Sequence, residues 1–189
     1  MMPDKQFDEK MCADFPKIFC DRNAPMTETC MCWGFETGSG WQNIIHQLCL
    51  TIQRHIDQTE ENTQWDIKHN EKIASMKAGD FTAFDRDTAS WNPDNREKAR
   101  VEMLAQEPRK LTDTVPQVVA TQIKEKFGTL RFYYTGGDDY IDGLVRMAES
   151  MSAVTCETCG SPGERHGGGW VTTLCKEHAE ARGIYAEEV

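Results

Sequence analysis

One spacing constrains this chain more than any other feature. Cys156 and Cys159 are separated by two residues, fifteen residues follow, and Cys175 and His178 are again separated by two. A two-residue gap lets one tight turn aim two side chains at a single point, and two such turns supply four ligands. Thiolate and imidazole are donors that zinc accepts, in a tetrahedron with metal–ligand distances of about 2.0–2.3 Å. The pattern therefore predicts one structural Zn2+ held by Cys156, Cys159, Cys175 and His178. The corresponding zinc ribbon spans residues 155–180, with a tail at 181–189. Gly160 follows the first pair, where such a turn often needs positive φ. Gly167, Gly168 and Gly169 offer a chain reversal, and Trp170 to Leu174 reads as a strand feeding the second pair. His166 is the stand-in ligand for His178. Four protein ligands fill a zinc shell, so the predicted site is closed and without catalysis.

The chain carries eight cysteines. No apolar run approaches the roughly 20 residues that cross a bilayer, and Met1 to Lys10 has no signal-peptide core. These features predict a cytosolic protein whose cysteines are thiols or metal ligands rather than disulfides. Cys30 and Cys32 with His46 and Cys49 form a weaker second candidate set. Its one-residue gap is unusual for zinc, and Cys49 falls on an apolar helix face, which favours buried thiols instead. Cys12 and Cys20 have no convincing partners.

Hydrophobic periodicity organises the rest. Phe7, Met11, Phe15, Ile18 and Phe19 predict a short helix that Pro16 ends near Ala13 to Phe15. Trp41, Ile44, Ile45, Leu48, Cys49, Ile52 and Ile56 fall on one helical face, predicting a helix from about Gly40 to Asp57. Ser39 with Gln42 reads as its capping box. From Gln58 to Pro116 the chain turns polar and irregular, an insertion-like region at about 58–116. Within it Asn92-Pro93 reads as N-cap and first helical position, with a helix to about Gln106 whose inward residues are Val101, Leu104 and Ala105. Val118 to Tyr134 predicts a β-hairpin, with Val119, Thr121 and Ile123 on one face, Leu130, Phe132 and Tyr134 on the return, and Phe127-Gly128 at the turn. Asp139 and Asp142 open a further helix with the face Ile141, Leu144, Val145, Ala148 and Met151. The expected fold is α+β: an α+β domain at 1–154, whose small antiparallel sheet packs against the Trp41 and Ile141 helices, with the zinc ribbon at one end.

The formal net charge of −10 argues against a nonspecific nucleic-acid binder, which needs Lys and Arg to displace counterions. It suits an acidic protein meeting a basic surface, or simple solubility. Pro93-Asp94 with Gln122-Ile123-Lys124, and Asp80, Asp85 and Asp87 as further carboxylates, loosely match a metal-dependent nuclease pattern. Gln122 stands where that pattern wants an acid, and an N-cap plus an exposed strand face explain the same residues. The stretch Gly34-Phe35-Glu36-Thr37-Gly38-Ser39-Gly40 lacks the Lys of a phosphate-binding loop and reads as a turn that lets Trp41 pack.

Three blocks, Thr29-Cys30-Met31-Cys32-Trp33-Gly34-Phe35-Glu36 with Gly40-Trp41, Lys124 to Tyr134, and Thr155-Cys156-Glu157-Thr158-Cys159-Gly160, resemble a family of small uncharacterised proteins encoded by phages and prophages. The resemblance covers residues 1–57 and 117–180. It carries no reaction with it. It implies a phage accessory protein acting in the bacterial host cytoplasm by protein–protein interaction with a host or defence-system protein, and an acidic inhibitor of an antiphage system such as CRISPR-Cas fits that implication. A zinc-ribbon nucleic-acid-binding or nuclease-like protein, and a structural or assembly component of a virion, are the alternatives. The expectation leans away from an enzyme and from direct nucleic-acid binding, without deciding either, and includes no membrane partner.

Overall fold

Helices and short strands both occur along the chain in this computed structural model, which describes residues 4–167 and 169–184. In chain order the elements are α1 (Asp4–Asp14), β1 (Phe35–Glu36), α2 (Gln42–Lys77), α3 (Thr82–Asp87), α4 (Pro93–Leu104), β2 (Val119–Lys126), β3 (Thr129–Thr135), α5 (Asp139–Ser152), β4 (Glu164–His166), β5 (Thr172–Leu174) and α6 (Lys176–Ala181). Short 3-10 turns at Cys30–Trp33 and Ser39–Trp41 flank β1. The result is a mixed helix and strand protein with two small sheets. Its chain divides into two compact units. One comprises the described residues up to Ile56 and from Val115 onward, and the other is Asp57–Thr114.

The first unit is built on the apolar face of α2. Trp41, Ile45, Leu48, Cys49, Ile52 and Ile56 are all buried, as their spacing requires, while Ile44 is half-buried. Phe7 and Met11 of α1, then Phe15, Ile18 and Phe19 beyond it, join the same core. Proline at position 16 accounts for the end of α1 at Asp14, because the residue before proline is pushed out of the helical region.

The three-stranded sheet has the order β1-β2-β3. β2 and β3 form the expected antiparallel hairpin, with Phe127 (φ 55) and Gly128 (φ 76) both in the left-handed region that a primed turn needs. β1 adds in parallel, pairing Phe35 with Ile123 and Glu36 with Lys124, so this sheet is mixed rather than purely antiparallel. A register shift between Ala120 and Gln122 alters the alternation. Ala120 and Ile123 therefore point into the core, in place of the expected Val119, Thr121 and Ile123. β3 is an edge strand whose outward amides are taken by α5. The Leu130 amide donates to Ser152 Oγ at 2.8 Å, and the Phe132 amide donates to Glu149 Oε1 at 3.2 Å. An edge covered in this way offers no ladder for another strand. α5 is capped by the Asp138 carboxylate, which accepts from the Ile141 amide, and it buries Ile141, Val145, Ala148 and Ser152. The expected inward Met151 is instead 47% exposed.

α2 does not stop near Asp57. It continues to Lys77, because the polar stretch after Asp57 contains no glycine or proline and is rich in helix-forming Glu, Gln and Lys. The first glycine, Gly79 at φ 90, ends it. There the Asp80 amide donates to the Ser75 carbonyl and the Gly79 amide to the Met76 carbonyl, a Schellman closure. Ile73, Met76 and Phe84 form the buried apolar part of the second unit. Its return segment is fixed to α2 by polar contacts. Asp66 accepts from both the amide and hydroxyl of Thr112, and Asn70 exchanges two bonds with the Arg109 backbone, each 2.8 Å. Asn92 caps α4 as expected, accepting from the Asp94 amide. No α4 residue is buried, however: Val101 is 59% exposed, Ala105 is exposed and Leu104 is half-buried. Polar and cation–π contacts hold the helix instead, with Arg100 over the Phe81 ring at 3.7 Å and Arg96 paired to Asp85 at 2.6 Å.

Candidate metal centre

Each half of the centre follows from a local turn. After Cys156 the chain reverses tightly: the Gly160 amide donates to the Cys156 carbonyl at 2.8 Å and the Cys156 amide to the Ser161 carbonyl at 2.7 Å. Gly160 adopts φ +76, as the sequence suggested. β4 and β5 then form a short antiparallel hairpin, pairing Glu164 with Leu174 and His166 with Thr172. The expected strand at Trp170 to Leu174 is confined to Thr172–Leu174, and Trp170 is 78% exposed. Of the glycine reversal, Gly167 and Gly169 are described and Gly168 lies outside the described residues. β5 ends at Leu174, Cys175 occupies the N-cap of α6, and the first turn of that helix carries His178 back toward the thiols.

The two turns converge. The ligand atoms of Cys156, Cys159, Cys175 and His178 all lie within 4.8 Å of one another, and among the described residues no other His, Cys, Asp or Glu group does this. Cys159 Sγ is 3.7 Å from Cys175 Sγ, Cys156 Sγ is 3.8 Å from His178 Nδ1, and Cys175 Sγ is 3.0 Å from His178 Nδ1. A tetrahedron with bonds of about 2.3 Å to sulfur and 2.0–2.1 Å to nitrogen has edges of about 3.5–3.8 Å. The Cys159–Cys175 and Cys156–His178 separations match such edges and the Cys175–His178 pair is closer, while a sulfur pair bonded as a disulfide would sit at about 2.05 Å. Cys156 is buried and the other three are half-buried. Hydrogen bonds from the Ser161 side chain and backbone pull the Cys159 thiol down to about 6, favouring the thiolate that metals bind. Cys175 moves the other way: its His178 backbone bond lowers it, but burial and the neighbouring thiols raise it above the usual range. The alternative ligand His166 stays outside the cluster, its Nε2 lying 3.3 Å from the Leu174 carbonyl.

The centre is fastened to the core at two places that the spacing did not announce. The Gly40 amide donates to the Glu157 carbonyl at 2.7 Å, the Gly38 amide to Glu157 Oε1 at 2.9 Å, and Ser39 Oγ to the Thr158 carbonyl at 3.2 Å. The Trp41 indole donates to the Thr155 carbonyl at 2.8 Å. The Ser39 hydroxyl, expected to cap α2, donates to the first cysteine turn. A Cβ on Gly40 would meet the Cys156 carbonyl oxygen at 2.1 Å, so only glycine fits. Desolvation in this contact holds the Glu157 carboxyl above its ordinary range. On the other side, Thr173 donates to the Gly128 carbonyl and Arg165 to the Phe127 carbonyl, joining the β4–β5 hairpin to the β2–β3 turn. The sequence signal for the first contact was Gly38-x-Gly40 directly before an aromatic helix start, which reads equally as an ordinary turn.

The second candidate set is not assembled. Cys49 is completely buried, and burial raises its thiol strongly. Cys32 donates to the Thr29 carbonyl at 3.3 Å, and His46 faces Asp14 at 3.2 Å. The residues of the nuclease pattern have structural partners of their own. Asp80 accepts from the Thr82 amide, Asp85 pairs with Arg96, Asp87 with Lys72, and Gln122 donates to Glu36. Lys124 Nζ sits 5.6 Å from the Tyr133 ring centre.

Comparison with family models, with curated proteins and with solved structures finds no match to this chain. No described helix is long and apolar enough to cross a membrane.

Proposed function

We propose that the Cys3His cluster holds one structural zinc ion, forming a zinc ribbon, and that the protein works as a non-catalytic binding protein whose acidic surface engages a basic partner. The observation that carries the zinc reading is the convergence of four protein ligand atoms within 4.8 Å. Bound there, the ion would supply crosslinking between the two turns, since four protein ligands leave no open position for a substrate. The residues themselves do the rest: Ser161 stabilises the Cys159 thiolate, and the Gly38–Trp41 segment fixes the first turn on the core.

The binding reading is supported by the net charge of −10 and by one surface of the second unit. There Asp57, Glu60 and Glu61 border a depression of about 490 Å³ together with Gln64, Trp65 and Lys68. Trp65 is 53% exposed, its ring stacked on His69 at 5.2 Å with Arg109 4.5 Å from its centre. An exposed tryptophan rimmed by carboxylates suits a partner presenting Lys or Arg, with aromatic area supplying affinity and charge supplying approach rate. In keeping with the phage-type sequence blocks, the proposed partner is a basic, nucleic-acid-binding face of a bacterial host or defence protein, met in the host cytoplasm. Immobilised protein incubated with host lysate at low salt should capture such a partner stoichiometrically and release it as salt is raised. Trp65→Ala with Glu61→Lys should abolish capture. Capture that is unchanged by these substitutions, or no capture at any salt, removes this reading.

A further inference from the structure

One depression of this acidic chain is lined mainly by cations. A depression of about 350 Å³ in the first unit is lined by Arg131, Arg146 and Arg165, with Thr129, Ser150 and Glu149 beside them. The three arginines come from three different elements, β3, α5 and β4. Glu149 is the single carboxylate among the lining residues. It is already committed, accepting from the Phe132 amide and lying 3.8 Å from Arg131. Three guanidinium groups therefore face one carboxylate on a protein whose formal net charge is −10.

The donors are only partly used. Arg131 directs Nη1 to Thr129 Oγ1 and the Leu130 carbonyl, at 2.6 and 2.7 Å, which orients the guanidinium from behind. Arg165 directs Nη2 to the Phe127 carbonyl at 2.8 Å. The Arg146 guanidinium is exposed, and the interaction described for its charge is a coulombic one with the Tyr134 hydroxyl. Guanidinium is planar, permanently charged and matched to two oxygens at once, so clustered arginines with spare N–H groups are the usual receptors for phosphate oxygens. A structural role for the cluster would need more carboxylate than Glu149 offers, since like charges gathered without a counter-ion repel.

We propose that Arg131, Arg146 and Arg165 form a binding site for the phosphate group of a small phosphorylated ligand. The size of the depression suits a ligand of sugar-phosphate or nucleotide dimensions. A long nucleic acid is disfavoured by the same charge that makes this patch unusual, because every phosphate beyond the depression meets an acidic protein. Arg165 lies on the hairpin between the two halves of the cysteine cluster, so an occupied site would tie that hairpin to α5 through the ligand.

Calorimetric titration of the full chain with inorganic phosphate, ribose 5-phosphate, unphosphorylated ribose and a single-stranded oligothymidylate tests the site. Ribose 5-phosphate and phosphate should bind saturably, with Kd about 0.1–1 mM, and ribose should not bind. Arg146→Gln should weaken both by about tenfold or more, as expected for losing charged hydrogen bonds. Its melting temperature should change little, because Arg146 is exposed and its charge acts on Tyr134 across solvent-screened surface. Arg131→Lys, which keeps charge without the planar fork, should give an intermediate loss. Equal affinity in wild type and Arg146→Gln, or no saturable binding of either phosphate compound, overturns the proposal. Oligothymidylate binding tighter than ribose 5-phosphate, with a salt dependence of several charges, overturns the small-ligand assignment in favour of a polyanion. The test is independent of partner capture through Trp65, which lies in the other unit.

Discussion

Replacing Gly40 by alanine should break the first of the two contacts that fasten the cysteine cluster to the core. The added methyl would stand 2.1 Å from the Cys156 carbonyl oxygen, 2.5 Å from the Gly160 nitrogen and 2.6 Å from the Glu157 carbonyl oxygen. All three are backbone atoms of a tight turn and cannot swing aside. Relief requires the two segments to part by about 1 Å, the difference from ordinary van der Waals contact. At that separation the bonds from Gly40 to Glu157, Gly38 to Glu157, Ser39 to Thr158 and Trp41 to Thr155 all lengthen beyond useful range. At about 0.5–1.5 kcal/mol each, losing these four costs about 2–6 kcal/mol. Urea unfolding followed by tryptophan fluorescence reads the loss, because Trp41 is fully buried in this contact. Gly143 is the matched control: it sits within α5, and a Cβ there meets nothing within 4 Å. Gly143→Ala should stabilise by about 0.5–1 kcal/mol through helix propensity alone. If Gly40→Ala unfolds within 0.5 kcal/mol of wild type, the docking described here is wrong.

Two further outcomes follow from other contacts. Ser152 is completely buried and its hydroxyl accepts from the Leu130 amide, so Ser152→Ala orphans a buried N–H and should cost about 1–3 kcal/mol; Ser152→Thr tests whether the hydroxyl rather than the volume matters. Bonds from Thr112, first its hydroxyl and then its amide, hold Asp66 below its ordinary 3.8 against the opposing effect of desolvation. A depressed carboxyl contributes stability that is fully present above the unfolded value and is lost as pH falls through the folded one. Amide exchange at Thr112 should therefore accelerate on acidification below about pH 4, and Asp66→Asn should flatten that acid limb; an identical pH profile in the variant would contradict the assignment.

The sequence made some parts of this molecule legible because their physics is local. A 3.6-residue repeat with large side chains exposed the start of α2, Asn92-Pro93 marked the start of α4, and the Cys-x2-Cys and Cys-x2-His spacings located the cluster. Other features depend on partners far along the chain. The continuation of α2 to Lys77 lacks an apolar face to announce it, and is recognised only by the absence of a breaker before Gly79. The bulge at Ala120 to Gln122 reassigns which residues point inward, and strict alternation cannot register it. β1 joins in parallel from a segment more than eighty residues away, and two residues carry no periodicity to read. Gly38 and Gly40 looked like turn residues because the surface that demands them, the Cys156–Gly160 turn, is remote in sequence.

The central claim is that four side chains close around a single metal ion. Native mass spectrometry with elemental analysis, on protein purified without chelators or affinity metals, tests it most directly. The wild type should carry one zinc per chain, retained in Cys49→Ala and absent from the Cys156→Ala, Cys175→Ala double variant, with a lower melting temperature for the metal-free protein. Wild-type protein without stoichiometric metal, or a double variant that keeps its zinc and its melting temperature, would contradict it.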